Sequence, residues 1–176
     1  METTVTDGQT GQSTTEILDQ SGAMVQYDDK GYQLTYDYYS HNRIKQTSVN
    51  GNSISLSYDD YLNQTALDDP DLGTWTYQTD GFGQLTEQED NGKTTIMQYD
   101  LIGRPTNKSV VDALGAREYT ATYDGNTVAA KDLLEKQSIN YNGNTHDIEY
   151  DYNSLARLNK ETINIDGDTY QMKYTY

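Results

Sequence analysis

The chain has 176 residues, 28 of them acidic and 12 basic, for a formal charge of -16. That balance argues against a nucleic-acid binder, whose partner's phosphates attract Lys and Arg, and against an anionic membrane surface. Cysteine is absent, so there is no disulfide framework and no thiolate metal site, and no apolar run is long enough to insert into a bilayer.

Hydrophobic residues make up 34% of the chain, with 17 Tyr against one Phe (Phe82) and one Trp (Trp75). A thick aliphatic core is therefore not expected. Tyr packs its ring and keeps its hydroxyl wet, which suits a thin sheet hydrated on both faces. Residues 1–22 form a polar N-terminal segment rich in Thr, Gly, Gln and Ser, a composition that favours poor order. Met1 is followed by Glu2 and polar residues, not by the basic and then apolar segment of a secretory signal. Residues 23–176 carry a regular pattern.

Asp29-Lys30-Gly31 reads as a turn, and Tyr32, Leu34, Tyr36 and Tyr38 then alternate with polar residues as in a half-buried strand. Tyr38-Tyr39-Ser40-His41-Asn42-Arg43-Ile44 follows. Asn50-Gly51 lies between two extended runs and predicts a hairpin, since both central residues of a type I′ turn need positive φ. Tyr58-Asp59 closes that hairpin's second strand. Asp68 to Gly73 is a turn-rich connection, and Trp75 and Tyr77 share one strand face before Asp80-Gly81-Phe82-Gly83-Gln84. Asn91-Gly92 predicts the next hairpin, leading to Tyr99-Asp100-Leu101-Ile102-Gly103-Arg104-Pro105. Asp112 to Gly115 turns towards Tyr123-Asp124. Thr127 to Glu135 reads as strand or loop, with a short helical turn as the alternative. Asn142-Gly143 precedes Tyr150-Asp151-Tyr152, with Ala156-Arg157-Leu158 beyond it, and Asp166-Gly167 predicts the last hairpin.

One spacing recurs. Tyr38, Tyr58, Tyr99, Tyr150 and Tyr174 each lie seven residues after a turn glycine (Gly31, Gly51, Gly92, Gly143, Gly167). With Tyr38, Tyr58, Thr79, Tyr99, Tyr123, Tyr152 and Tyr176 as anchors, the steps are 20, 21, 20, 24, 29 and 24 residues. A step near 20 fits two strands of ordinary length and two turns. The longer late steps predict insertions at turns.

This set of repeats resembles the YD-repeat (RHS-repeat) family, with its Tyr-x-Tyr-Asp-x-x-Gly-Arg-Leu pattern followed by a hairpin. Tyr99 to Pro105 matches best, with Pro105 in the Leu place, and Leu72 to Leu85 resembles the toxin-complex and polymorphic-toxin branch. The pattern departs at Leu62-Asn63 and after Tyr123-Asp124, where distortion is expected. The resemblance implies an all-β fold of antiparallel β-hairpin repeats forming a long curved β-strip, part of a shell, over residues 23–176 and cut at a repeat boundary. It implies a structural role in a secreted or cell-surface bacterial protein. The partners it implies are flanking YD repeats or an enclosed toxic polypeptide. The structural repeat positions are Tyr38, Arg43, Tyr58, Asp59, Asp80, Gly83, Tyr99, Asp100, Gly103, Arg104, Tyr123, Asp124, Tyr150, Asp151, Tyr152 and Arg157.

No nucleophile, zinc or phosphate-loop motif is present, so no enzyme, cofactor or metal is expected. His41 and His146 read as surface histidines in loops. The many Asp residues read as turn formers rather than as a calcium site or an acid–base pair. Exposed Tyr faces could bind carbohydrate, but stacking of like residues between neighbouring repeats is the simpler use. Open strand edges predict self-association.

Overall fold

The computed structural model describes residues 1–6, 9–125 and 130–176. They form sixteen strands: β1 (Glu2–Thr6), β2 (Ser13–Leu18), β3 (Met24–Asp29), β4 (Tyr32–Tyr38), β5 (Ile44–Val49), β6 (Asn52–Tyr58), β7 (Gln64–Asp69) and β8 (Gly73–Thr79), followed by β9 (Leu85–Asp90), β10 (Lys93–Tyr99), β11 (Pro105–Asp112), β12 (Gly115–Tyr123), β13 (Leu134–Tyr141), β14 (Asn144–Tyr152), β15 (Leu158–Ile165) and β16 (Asp168–Lys173). The strands make one open sheet in strict sequence order, antiparallel in every register observed. The chain divides into two units, Met1–Tyr77 and Gln78–Tyr176.

The fold is the all-β hairpin repeat expected from the Asx-Gly turns. Asn50, Asn91, Asn142 and Asp166 have φ of 50°, 42°, 51° and 51°, and the glycine after each is also positive. These are the two left-handed positions a type I′ turn requires, and only Asx and Gly occupy them at low cost. Lys30-Gly31 makes the same turn with Lys at φ 38°. Asp69 pairs with Gly73 across a three-residue loop, and its carboxylate accepts from the Asp71 and Leu72 N–H groups.

β1 and β2 lie within the polar segment 1–22. They pair from Glu2↔Ile17 to Thr6↔Ser13, and Thr4–Thr15 and Thr6–Ser13 hydroxyl contacts span the pair. Thr suits a strand through its branched Cβ, which the segment's polar composition conceals. Of the stretch read as strand, loop or helical turn, residues 127–129 lie outside the described residues, and β13 begins at Leu134.

Within each unit the two faces of the sheet differ. In the first unit, Tyr27, Leu34 and Val49 stand opposite one another across β3, β4 and β5, while Gln26, Thr35 and Ser48 do so on the other face. The sheet is one layer thick. Among the described residues only Val110 and Ala130 are buried hydrophobics, and Thr95 and Thr162 are buried polar residues. The Tyr-rich, aliphatic-poor composition has its physical meaning here: half-buried rings replace a core.

Candidate functional site

Every second connection is a longer loop, and these loops share one construction. In Asp100–Arg104 the Asp100 N–H donates to the Arg104 carbonyl at 2.9 Å, and the Gly103 N–H donates back to the Asp100 carbonyl at 3.0 Å. The Asp100 carboxylate accepts from the Ile102 and Arg104 N–H groups at 3.0 and 2.9 Å. One side chain thus satisfies two loop donors, which is what Asp offers a turn. Asp19, Asp59 and Asp80 make the same pair of bonds, and Asn153 makes them with its amide oxygen. The Ser21 hydroxyl and the Ala23 N–H hold Asp19 below the usual carboxylate range, and the Asn63 side chain and N–H do the same for Asp59. Partial burial pushes Asp100 up, but the Arg104 N–H and guanidinium outweigh it and leave Asp100 low.

The fourth loop position is left-handed throughout: Gly22, Asn42, Leu62, Gly83, Gly103 and Ala156 have φ from 58° to 87°. The expected distortion at Leu62-Asn63 is therefore absent. That loop keeps the common geometry with Leu62 forced to φ 68°. The loop after Tyr123-Asp124 is longer; it keeps the first of these closing bonds and replaces the second. Asp124 N–H donates to the Leu133 carbonyl, and Leu133 N–H to the Ala130 carbonyl.

At six of these loops the register of the flanking strands slips by one residue, between Ile17/Leu18, Asp37/Tyr38, Ser57/Tyr58, Gln98/Tyr99, Thr122/Tyr123 and Asp151/Tyr152. The extra residue is the second of the following strand, for example Lys45, Thr106 or Asn159. Such bulges interrupt the backbone ladder locally.

Tyrosine spans the gap. The β9–β10 ladder reaches only Glu87↔Ile96, and the Leu85 carbonyl beyond it accepts the Tyr99 hydroxyl at 2.8 Å. Tyr38 donates likewise to Met24, Tyr123 to Pro105, Tyr152 to Leu134 and Tyr176 to Leu158, at 2.7 to 2.9 Å. Each acceptor is the first residue of an odd-numbered strand.

A second set of contacts runs from one loop to the next. Arg104 Nε donates to Asp100 Oδ2 at 2.6 Å, and its two terminal nitrogens donate to both oxygens of Asp124 at 3.2 and 2.7 Å. Its guanidinium also lies 4.3 Å from the Tyr123 ring centroid. Arg157 lies over Tyr176 at 4.7 Å and Arg43 over Tyr58 at 6.0 Å. Gln84, in the Arg place, donates to the Gly103 carbonyl of the following loop at 3.0 Å. The Arg104 hydrogen bond holds Asp124 at about 2, with the Asp132 N–H adding to it. The Asp124 and Asp100 carboxylates in turn raise Arg104 above its ordinary range.

Two sequence positions take places other than their spacing suggests. Tyr150 and Asp151 lie in β14, where Tyr150 donates to the Gln137 side chain and Asp151 pairs with Lys160 at 2.7 Å. Tyr152 and Asn153 open the loop instead, because β14 has nine residues against seven in β10. His146 is in β14, not in a loop, and its Nδ1 is shielded from solvent. His41 stacks on Tyr39, with ring centroids 5.2 Å apart. Among the described residues no group of three or more His, Asp or Glu is placed to hold a metal ion.

No family model matches the chain, and no curated protein matches its sequence. Solved structures do match its fold. The TcdB2-TccC3-Cdc42 crystal structure aligns with a TM-score of 0.71 at 13% identity, over 92% of this chain and 10% of that one. The Photorhabdus luminescens Tc holotoxin pore carrying TccC3-D651A aligns with a TM-score of 0.68 at 14% identity, over 92% of this chain and 9% of that one. TcdB2-TccC3 itself aligns with a TM-score of 0.62 at 13% identity, over 93% and 12%. The chain thus spans about a tenth of the length of the chains it matches. Its fold is the RHS-like β-strip of toxin-complex proteins, the fold implied by the resemblance of Tyr99–Pro105 to a YD repeat.

Proposed function

We propose that this chain is a wall segment: a YD/RHS-repeat scaffold of a secreted or cell-surface bacterial toxin that encloses or presents a toxic polypeptide. The observation that carries this reading is the loop-to-loop clasp. Arg104 binds its own loop through Asp100 and the next through Asp124 and Tyr123. The side chains that recur along the sequence are spent on holding neighbouring repeats together, as in repeat proteins whose stability is a sum of nearest-neighbour terms. The same accounting weakens the carbohydrate reading. Five of the repeat tyrosines already donate their hydroxyls to backbone carbonyls.

The test is protease protection in the product of the whole reading frame. A polypeptide that resists digestion while the strip is intact, and is cut once Arg104→Ala and Tyr123→Ala loosen it, supports a wall. Equal cleavage in both would overturn it, and saturable glycan binding would move the assignment to adhesion.

A further inference from the structure

We propose that Asn50 and Asn142 are latent deamidation sites, held unreactive by the hairpin turns that they themselves build. The inference stands apart from the wall reading, since it concerns the chemistry of the turns alone.

Each asparagine is followed by glycine at an exposed hairpin tip, Asn50-Gly51 between β5 and β6 and Asn142-Gly143 between β13 and β14. An asparagine side chain can react with the backbone of the residue after it. The glycine nitrogen bonds to the asparagine Cγ, the Cγ–Nδ2 bond breaks, and ammonia leaves with the proton that the glycine N–H gives up. Water then opens the cyclic imide at either carbonyl. Opening at Cγ yields aspartate, and opening at the main-chain carbon yields isoaspartate, whose backbone runs through the side chain. Glycine hinders this ring closure least, and the place of a Cβ on Gly51 or Gly143 is open for 4 Å.

The turn opposes the reaction. Asn50 and Asn142 have φ of 50° and 51°. In that left-handed region ψ is about +47°, which sets Cβ and the following nitrogen on opposite sides of the Cα–C bond. Cγ then cannot approach the nitrogen that must attack it. Rotating ψ to bring them together abolishes the type I′ turn and parts Val49 from Asn52, or Tyr141 from Asn144. Hydrogen bonds add to the restraint. The Gln33 N–H donates to Asn50 Oδ1 at 2.9 Å, and the Asn50 N–H donates to the Gln33 carbonyl at 3.0 Å, tying this tip to β4. At the other tip the nucleophile itself is engaged: the Gly143 N–H donates to Asn140 Oδ1 at 3.2 Å. Reaction therefore waits on local opening of each hairpin tip.

The two products differ in consequence. Asp166-Gly167 turns β15 into β16 with Asp166 at φ 51°, so aspartate fits the same turn. Isoaspartate adds a backbone carbon to a two-residue turn whose length fixes the register of its strands.

The experiment incubates the full chain at mildly alkaline pH, folded and in guanidinium chloride, and counts aspartate and isoaspartate at both positions by peptide mass mapping. Conversion is expected to be at least about tenfold slower in the folded chain, an opening of about 1.4 kcal/mol or more. Asn140→Ala frees the Gly143 N–H, so it should speed Asn142 about fivefold in the folded chain, the effect of losing one ordinary hydrogen bond. Asn50 should keep its wild-type rate in that variant. Asn142→Asp should melt with the wild type. Equal rates in the folded and unfolded chains would overturn the proposal, as would no conversion in the denaturant. So would an Asn142 rate unmoved by Asn140→Ala, an equal rise at both positions, or a lowered melting temperature in Asn142→Asp.

Discussion

The Tyr152 hydroxyl donates to the carbonyl of Leu134, which lies just beyond the last backbone pair, Lys136↔Glu149, between β13 and β14. The β13–β14 ladder stops at that pair, and the Tyr152 hydroxyl reaches the Leu134 carbonyl from the β14 side. A half-buried phenol hydroxyl is the side-chain group that reaches it.

Tyr152→Phe keeps the ring and removes the bond, so it should cost about 1 kcal/mol in urea unfolding. The same tyrosines should set the alkaline limit. Burial, and then the neighbouring Tyr150, push Tyr152 above its ordinary 10.0, and burial does so first for Tyr38 and Tyr150 as well. A raised value means the folded state holds its proton longer. This contribution is complete below pH 10.0 and is lost as pH climbs from there through the folded values. Unfolding followed against pH should steepen above that point, and less so in Tyr152→Phe. A profile identical to wild type would remove the phenols from the account.

Arg104→Ala should lower the melting temperature, and Arg104→Lys should recover only part of the loss. Lysine cannot make the forked contact to Asp124 while also stacking on Tyr123. Asp124 is held at about 2, so its contribution is present above 3.8 and disappears as pH falls from 3.8 to about 2. The acid slope of stability in that window should flatten in the Arg104→Ala variant. Asp124→Ala in the Arg104→Ala background should then cost less than it does alone, which a double-mutant cycle measures.

Leu62→Gly should stabilise the protein. Leucine at φ 68° bears the left-handed penalty of about 1–2 kcal/mol, and glycine's greater unfolded freedom takes back about half of it. A net gain of about 0.5 kcal/mol is expected by chemical denaturation. Gly103→Ala should act in the opposite direction and more strongly. Its added Cβ would sit 3.0 Å from Gln84 Nε2, the nitrogen that donates to the Gly103 carbonyl. If Leu62→Gly were destabilising, the contacts of the Leu62 side chain, 37% exposed, would outweigh the backbone strain.

Val110→Ala should cost about 1.5 kcal/mol, near the transfer value of the two methyl groups removed. Val110 is among the few buried apolar residues, and no large side chain is fully buried among the described residues. A one-layer sheet encloses no deep cavity, so truncations should not reach the larger losses of a two-layer core. Denaturant titration of the variant measures this directly.

The hairpins were legible because their chemistry is local. Asn50-Gly51, Asn91-Gly92 and Asp166-Gly167 require only that the turn accept positive φ, and the dipeptide itself supplies that. The alternation of Tyr32, Leu34 and Tyr36 was legible for the same reason, since strand period is a property of neighbours in sequence. The contacts between repeats were not. Nothing near Tyr123 in the sequence points to Pro105, eighteen residues earlier, because that partner depends on a bulge, and Thr106 has no residue signature that announces one. The first two strands were hidden differently. Thr3, Thr4 and Val5 have strand propensity, but their polar surroundings resemble those of an unstructured segment. Tyr150-Asp151 shows the limit of spacing: a hairpin two residues longer moves the loop position to Tyr152-Asn153 without altering the count from Gly143.

The closure of Asp124 on Leu133 separates the length of a loop from the alignment of the strands it joins. Asp100 and Arg104 close with three residues between them, whereas Asp124 and Leu133 admit eight, and the strands beyond still meet in the same offset. The sheet therefore has a margin along which material can be added or removed without renumbering its ladder. A designer could graft a foreign peptide between Leu101 and Ile102, both fully or largely exposed, and have it displayed at a fixed height on an otherwise unaltered scaffold.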